Sequence, residues 1–388
     1  MIIKPTKIRL AVWLISAALI AAPAQAASYI VPTLVTALLA DDNVLIGTVD
    51  RRKDIITRLS PGLEVGAESE RLLLNARYSQ DIEFYRDNPD LDSTEMRRYL
   101  QSEFLYRLSE LVLLSVDASY TESQFPAELN ISTGAGQGRI EGERAEINPA
   151  LSYRFSPTSS GQLDFRHTRD RLAGGVENDT NAVNLEYDHA LTTSTQMTYG
   201  YTYSHFAFDN PETGIVDLTE YLHTPRVGIF HNFSAFTSIS AQVGPSYTAD
   251  DVGANFAVQL QRNYSKGQFA VGYNRSAGSL IGEPGLVELD ALNATLTHEF
   301  SNEFEVSAVA SYGQVHREDA DFSDDRISRA ALSAIYRVND YAAVTASYSF
   351  SEQRISGPNG IDNIPRNVAM LALTLTYPRR SSPVIFNR

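Results

Sequence analysis

The sequence predicts an all-β fold, a transmembrane antiparallel up-and-down β-barrel of about eighteen strands. Three observations carry this. Past residue 26 the chain repeats one unit, an alternating apolar–polar run followed by a break, and a period of two marks a strand with one apolar face. The runs are about 10–14 residues, longer than the ~5–6 usual for soluble strands and enough for the ~9–11 of a tilted membrane strand. The breaks alternate short and long, as in outer-membrane barrels with short turns on the periplasmic side. A secreted soluble sandwich or solenoid is the alternative, and it has no reason to alternate its connections.

The first 26 residues read as a signal peptide. Lys4, Lys7 and Arg9 form a basic front, an apolar run follows over 11–22, and Ala24-Gln25-Ala26 is a small-x-small cleavage site. A mature chain beginning at Ala27 is expected; an N-terminal anchor would need a longer apolar run. The barrel is expected to occupy 27–377, with a short tail over 378–388. No later apolar run approaches the ~20 residues of a membrane helix.

The strands are expected at 54–67, 71–84, 97–107, 111–122, 143–155, 161–170, 180–190, 195–208 and 219–232. They continue at 237–250, 252–264, 267–276, 287–299, 303–316, 326–338, 340–353 and 365–377. Short turns fall near 67–70, 108–110, 156–160, 191–194, 234–236, 265–266, 301–302 and 339–340. Longer loops are expected at 85–96, 123–142, 171–179, 209–218, 277–286, 317–325 and 354–364, while the short break at 249–251 departs from the alternation. The strands at 54–67 and 365–377 both run inward, so a strand from 28–44 must first carry the chain outward. That makes eighteen, an even number as in bacterial single-chain barrels. Sixteen competes, because 29–39 alternates poorly and Pro32 interrupts it.

Composition excludes several classes. There is no cysteine, hence no disulfide, thiolate metal site, Cys nucleophile, covalent haem or lipidated Cys. Without Lys4, Lys7 and Arg9, the 32 basic residues become 29 against 47 acidic ones, a net charge of −18, and no nucleic-acid partner is expected. Lys53 and Lys266 are the only mature lysines. Genomic base composition explains such a bias, and so does a need for Arg forks that suit carboxylates, phosphates and sugar hydroxyls.

The segment EFEVSAVASY illustrates the faces. Phe304, Val306, Ala308, Ala310 and Tyr312 form one set, and Glu305, Ser307 and Ser311 lie on the other. With the apolar sets in lipid, the polar sets line a lumen wide enough for water. They include Arg58, Glu64, Arg77, Asp81, Glu103, Arg107, Asp117, Arg154, Asp164, Arg166, Glu186, Asp188, Asn293, Glu305 and Arg337. These either form a conduit for polar solutes or pair with each other and fill the interior. Arg58, Arg77, Glu103, Arg107, Arg154, Asp164, Arg166, Glu186, Glu305 and Arg337 are the candidates for solute contact. Tyr78, Tyr106, Tyr120, Phe155, Tyr187, Phe233, Tyr264, Phe300, Tyr312 and Tyr377 sit toward strand ends, where girdles form at the two interfaces.

No enzyme is expected. Asp188-His189 and Asp324-Asp325 could mimic a paired-acid protease site, but they lie at opposite ends of the barrel. Ser204-His205 could mimic a phospholipase pair, but neighbours in a strand diverge. The acidic run over 318–325 lacks the Gly an EF-hand turn needs and reads as a solvated loop, with divalent bridging to lipopolysaccharide as the other use. No cofactor or resident metal is expected.

One further signal is specific. Asp41-Asp42-Asn43-Val44, then Asp54-Ile55-Ile56-Thr57-Arg58-Leu59-Ser60-Pro61-Gly62-Leu63 and a strand ending near Tyr78, resembles the outer-membrane barrels often called β-barrel porin 2. Many members look like barrels encoded with exopolysaccharide and exosortase (PEP-CTERM) loci. The resemblance implies an outer-membrane location and passage of a hydrophilic polymer such as exopolysaccharide. Partners would be membrane lipid, lipopolysaccharide, the barrel-assembly machinery and periplasmic polysaccharide-export proteins. A general diffusion porin and a structural barrel with a closed lumen are the alternatives. The chain departs from the pattern at its end, where Tyr377 closes the last strand and eleven residues follow, with Phe386 near the terminus.

Overall fold

The computed structural model describes residues 27–48, 51–130, 133–136, 138–209, 218–249, 251–317, 325–357 and 360–377. The expected signal peptide, the tail and Asp324 lie outside these residues.

Eighteen antiparallel strands close into one ring, each paired with its sequence neighbour and β1 with β18. In order they are β1 (Ala27–Asp41), β2 (Asp54–Glu68), β3 (Leu72–Tyr85), β4 (Ser93–Arg107), β5 (Val112–Ser123) and β6 (Gly142–Ser156). Next come β7 (Ser159–Leu172), β8 (Glu177–Ala190), β9 (Thr195–Asp209), β10 (Leu218–Ser234), β11 (Thr237–Tyr247) and β12 (Val252–Tyr264). The ring ends with β13 (Gly267–Ser279), β14 (Leu286–Glu299), β15 (Phe304–His316), β16 (Asp325–Asn339), β17 (Ala342–Gly357) and β18 (Gly360–Thr376). Closure pairs every edge, so the backbone groups of each strand are satisfied on both sides.

The eighteen-strand count holds, and sixteen does not. β1 alternates poorly for a physical reason. Ile30, Leu34 and Leu38 face outward, while its other face carries Ala37 and Leu39, buried with Val44, Ile56, Tyr85 and Ala372. The inner face is apolar because protein covers it, so both faces of the strand read as apolar. Pro32 sits within the strand opposite Leu63, and its carbonyl accepts the Tyr377 N–H at 3.1 Å.

Several expected loops are shorter. The break at 171–179 shrinks to 173–176, and β17 and β18 pair up to Gly357 and Gly360. At the first of these, the strands run beyond the apolar belt as an ion-pair ladder on the outer surface: Arg171 to Glu143 at 3.2 Å, Arg171 to Glu177 at 3.1 Å, Arg169 to Asp179 at 3.6 Å. Such pairs let charged sequence remain in register without a covering layer.

The outer face is apolar along the middle of the strands. Leu63, Leu151, Leu163, Leu185, Val243, Leu332 and Leu371 are all exposed there. Aromatic chains bound it: Tyr153, Phe155, Tyr187 and Tyr199 touch in series near the short turns, as do Tyr264, His298, Phe300 and Phe304. Tyr203, His205, Tyr221 and His223 cluster toward the long-loop end.

Candidate functional site: the lumen and the segment that crosses it

The register puts the fifteen polar residues of the sequence reading on the inner face. Arg77 stands opposite Glu64 and Gln101, Glu103 opposite Asp117, and Asp164 opposite Asn184. Six of the ten contact candidates are held in five ion pairs: Arg58 with Glu83 (2.8 Å, Nε to Oε1), Arg77 with Glu64 (2.8 Å), Arg166 with Glu146 (3.5 Å), Glu186 with Arg226 (2.8 Å) and Arg337 with Glu305 (2.6 Å), the last joining two candidates. Asp164 accepts from Asn184 at 2.8 Å. Arg154 has no ion pair among the described residues and reaches open lumen near the short turns. Most of these groups are thus braced against the wall by pairing with one another.

The lumen has two different sides. Strands β2 to β8 supply most of the charges, with Arg226 of β10, Glu305 of β15, Arg329 and Arg337 of β16 and Arg366 of β18. The inward positions of β11, β12 and β13 carry none: Ser238, Ser240 and Gln242, then Asn255, Gln259 and Gln261, then Gln268, Asn274 and Ser276. Among the described residues a single side-chain hydrogen bond involves this set, Gln261 Nε2 to Asn263 Oδ1 at 3.3 Å. Its amides and hydroxyls are otherwise left to water or solute.

The long loop expected over 123–142 does not stay outside: its described residues fold into the barrel mouth and cross it. It starts between β5 and β6 and reaches β15, nine strands along the ring of eighteen. A Cβ on Gly313 of β15 would lie 3.0 Å from the Thr133 carbonyl, a tight contact that glycine avoids. Arginines from several walls hold it. Phe125 lies between the guanidinium groups of Arg97 (5.4 Å) and Arg366 (5.1 Å), each a cation–π contact. Arg97 also donates to Glu128 (2.6 Å) and Glu83 (3.0 Å), and Ser123 donates to Glu128. Arg329 of β16 donates to the Gly134 carbonyl at 2.8 Å. Gly134 has φ +71°, a conformation glycine adopts freely, and a Cβ there would fall on that guanidinium. Arg144 holds the Leu129 carbonyl at 2.7 Å and Asp170 at 2.6 Å.

Burial pushes the Glu128 carboxyl upward, but the Arg97 guanidinium and the Ser123 hydroxyl outweigh it and hold it below the ordinary range. The crossing segment is thus anchored by charge as well as by packing.

Two neighbours complete the mouth. Ile46, from the β1–β2 connection, packs with Met96, Phe125 and Ile364. Ala135 packs with Leu280, Val287, Leu289, Val315 and Ile327, and Asn130 accepts the Ile281 N–H at 3.0 Å. Arg97, Arg144, Arg226, Arg329 and Arg366 were all missed as site residues. The available signal was apolar content in supposed loops, Val44-Leu45-Ile46 and Phe125-Pro126 with Leu129, which water-exposed loops have no use for.

The enzyme-like pairs separate. Asp188 accepts from Thr198 in the lumen at 2.6 Å, whereas His189 bonds Ser159 on the outer face at 2.9 Å. Ser204 is buried inside opposite Leu222, while His205 packs on Tyr221 outside.

No family model matches the chain, and no curated protein matches it. Solved structures that resemble it include OpdQ of Pseudomonas aeruginosa, at 10% identity and TM-score 0.48, over 90% of this chain and 98% of that one. OccAB4 of Acinetobacter baumannii aligns at 11% and 0.46, over 92% and 100%. The siderophore receptor PirA of Pseudomonas aeruginosa aligns at 7% and 0.45, over 90% and 80%. At these scores the likenesses carry no argument about function, which rests on the chain's own geometry.

Proposed function

We propose that this chain is an outer-membrane channel for a hydrophilic solute, with a polyhydroxylated polymer such as exopolysaccharide as its cargo. The observation that carries the channel reading is the polarity of the closed ring, apolar outside and polar inside. A soluble barrel reverses this, because water surrounds it and packing fills it. The short-turn end is then periplasmic and the long-loop end extracellular. The cargo reading rests on the uncharged amide and hydroxyl wall of β11–β13, which offers donors and acceptors to sugar hydroxyls without attracting counter-ions. The charged candidates Arg77, Glu103, Arg107 and Arg154 face it across the lumen. Passage at the outer end would be governed by segment 124–141. The motive force and the periplasmic polysaccharide-export partners would be supplied from outside the chain.

The packed mouth favours a second reading, a structural barrel with a closed lumen. Single-channel conductance separates the two. The channel reading expects openings in wild type that lengthen when residues 126–139 are removed, and block by added polysaccharide. A closed trace for both proteins would sink the transport reading, and conductance indifferent to polysaccharide would leave a general diffusion porin. In the cell, deleting the gene should abolish surface polysaccharide and leave its synthesis intact.

A further inference from the structure

The outer face over β14–β17 breaks the even surface of the apolar belt. Ala294, Ala310 and Ala330 form one cross-strand row, with Phe350 beside them. Leu296, Ala308, Leu332 and Tyr348 form the next row toward the periplasm. Three alanines in line between large side chains leave an apolar groove of about 360 Å³. Two rows above the alanines, toward the extracellular end, Arg326 and Arg354 are direct cross-strand partners on the same face. Like charges directly opposite each other are destabilising. Arg354 is only partly relieved, by an exposed contact to Glu352 at 3.2 Å. Arg326 is exposed, with no carboxylate partner among the described residues. Between the arginines and the alanines lie the Tyr312, Ser328 and Glu352 side chains, the last turned back to Arg354.

We infer that this face binds one phosphate-bearing glycolipid of the outer leaflet, the lipid A class, with a phosphate held between Arg326 and Arg354 and an acyl chain in the alanine groove. The inference rests on the outer-membrane reading above. Charge complementarity argues for this occupant. An anion between two opposed guanidinium groups converts their repulsion into two sets of charge-assisted hydrogen bonds, and the Arg fork matches phosphate oxygens. The vertical order argues for it too. With ~3.3 Å per residue, the alanine row lies ~13 Å below the arginines. A cationic level, a polar level of two hydroxyls and the Glu352 carboxylate, and an apolar level follow one another as phosphate, sugar and acyl chain do in the lipid. A bare acyl chain would leave the arginines opposed, and a free phosphate would leave the groove unfilled.

The test is native mass spectrometry of the full chain, solubilised in detergent after its insertion into vesicles, with purified diphosphoryl lipid A as the probe. Wild type should retain one lipid A per barrel. R326E together with R354E, and separately A310F, which fills the groove, should each weaken retention by about tenfold or more. R262E, an outward arginine near the periplasmic turns, should leave it unchanged. Both A310F and R262E change a surface side chain, so a general loss of folding would show in the two alike. Equal retention by wild type and both site variants overturns the site, and so does a second copy of the chain, rather than lipid A, lost on A310F. Wild type that inserts into vesicles but retains no lipid A sinks this inference alone. Wild type that fails to insert sinks the membrane reading beneath it.

Discussion

The extracellular mouth and the waist of the lumen are lined by the same strands, yet they are built on opposite terms. At the mouth the inner face is covered: Leu39, Ile56, Met96, Val315, Ile327 and Ile364 are buried against inserted segments, and Arg97, Arg144, Arg329 and Arg366 are tied to them. At the waist the inner face is polar and open, with Gln259, Gln261, Asn293, Ser307 and Arg154 along it. Strand alternation constrains only the outer face, which must satisfy lipid along the apolar belt. The inner face takes whatever chemistry its local neighbour demands, protein at one level and water at another. The mouth therefore behaves as a small core, and the waist as a surface.

If so, a truncation at the mouth should cost what a core truncation costs. Phe125→Ala removes a buried ring held between Arg97 and Arg366, a change worth about 3–5 kcal/mol in a packed interior. The loss should fall on the docking of segment 124–141, since every strand keeps its ladder. Expected outcomes are longer channel openings and faster protease cleavage within that segment, with the barrel still resistant to heat in detergent. Unchanged conductance and cleavage together would mean that the segment is not held there by this contact.

The next largest effect probes the outer face at the waist. Ala308→Arg puts a charge in the middle of the belt and should cost about 2–4 kcal/mol, read as a smaller folded fraction in lipid vesicles. Wild-type folding would show that lipid does not contact this row.

A third change tests the charged part of the mouth. The Glu128 pKa is lowered, so the stabilisation it gives is present above the ordinary carboxylate range and is lost as pH falls through the lowered value. Segment 124–141 should therefore loosen as pH falls below about 4, seen as increased conductance. Glu128→Gln should show the loosened state at neutral pH and no further change on acidification. A transition that survives the substitution would belong to another group.

These contrasts explain what the sequence could reveal. The strands were legible because lipid imposes one rule on every outward position, so EFEVSAVASY shows its faces without help: Ser307 pairs inward with Thr297 and Ser333, and Ala308 outward with Leu296 and Leu332. The paired charges of the waist were legible for the same reason, by elimination from the belt. The mouth was not. Phe125 and Ala135 occupy a segment with no period, and their partners, Arg366 and Ile364 for the first and Val315 for the second, lie far away in the chain. Contacts across a closed ring leave no local pattern. The visible traces were the apolar residues of the supposed loops and β1, whose doubtful alternation was the imprint of the covered inner face.

The smallest expected effect is the sharpest check on the waist. Ser307→Arg sits one residue from Ala308→Arg in sequence but on the opposite face. If water lines the waist, the long side chain can extend into the lumen and keep its hydration, so stability should stay within about 0.5 kcal/mol of wild type. The added cation should instead appear in the current, as a shift toward anions under a salt gradient, and the shift should shrink at high salt as screening shortens its reach. A destabilisation as large as that of Ala308→Arg would mean that the waist is packed like the mouth. The closed-lumen reading would then replace the channel.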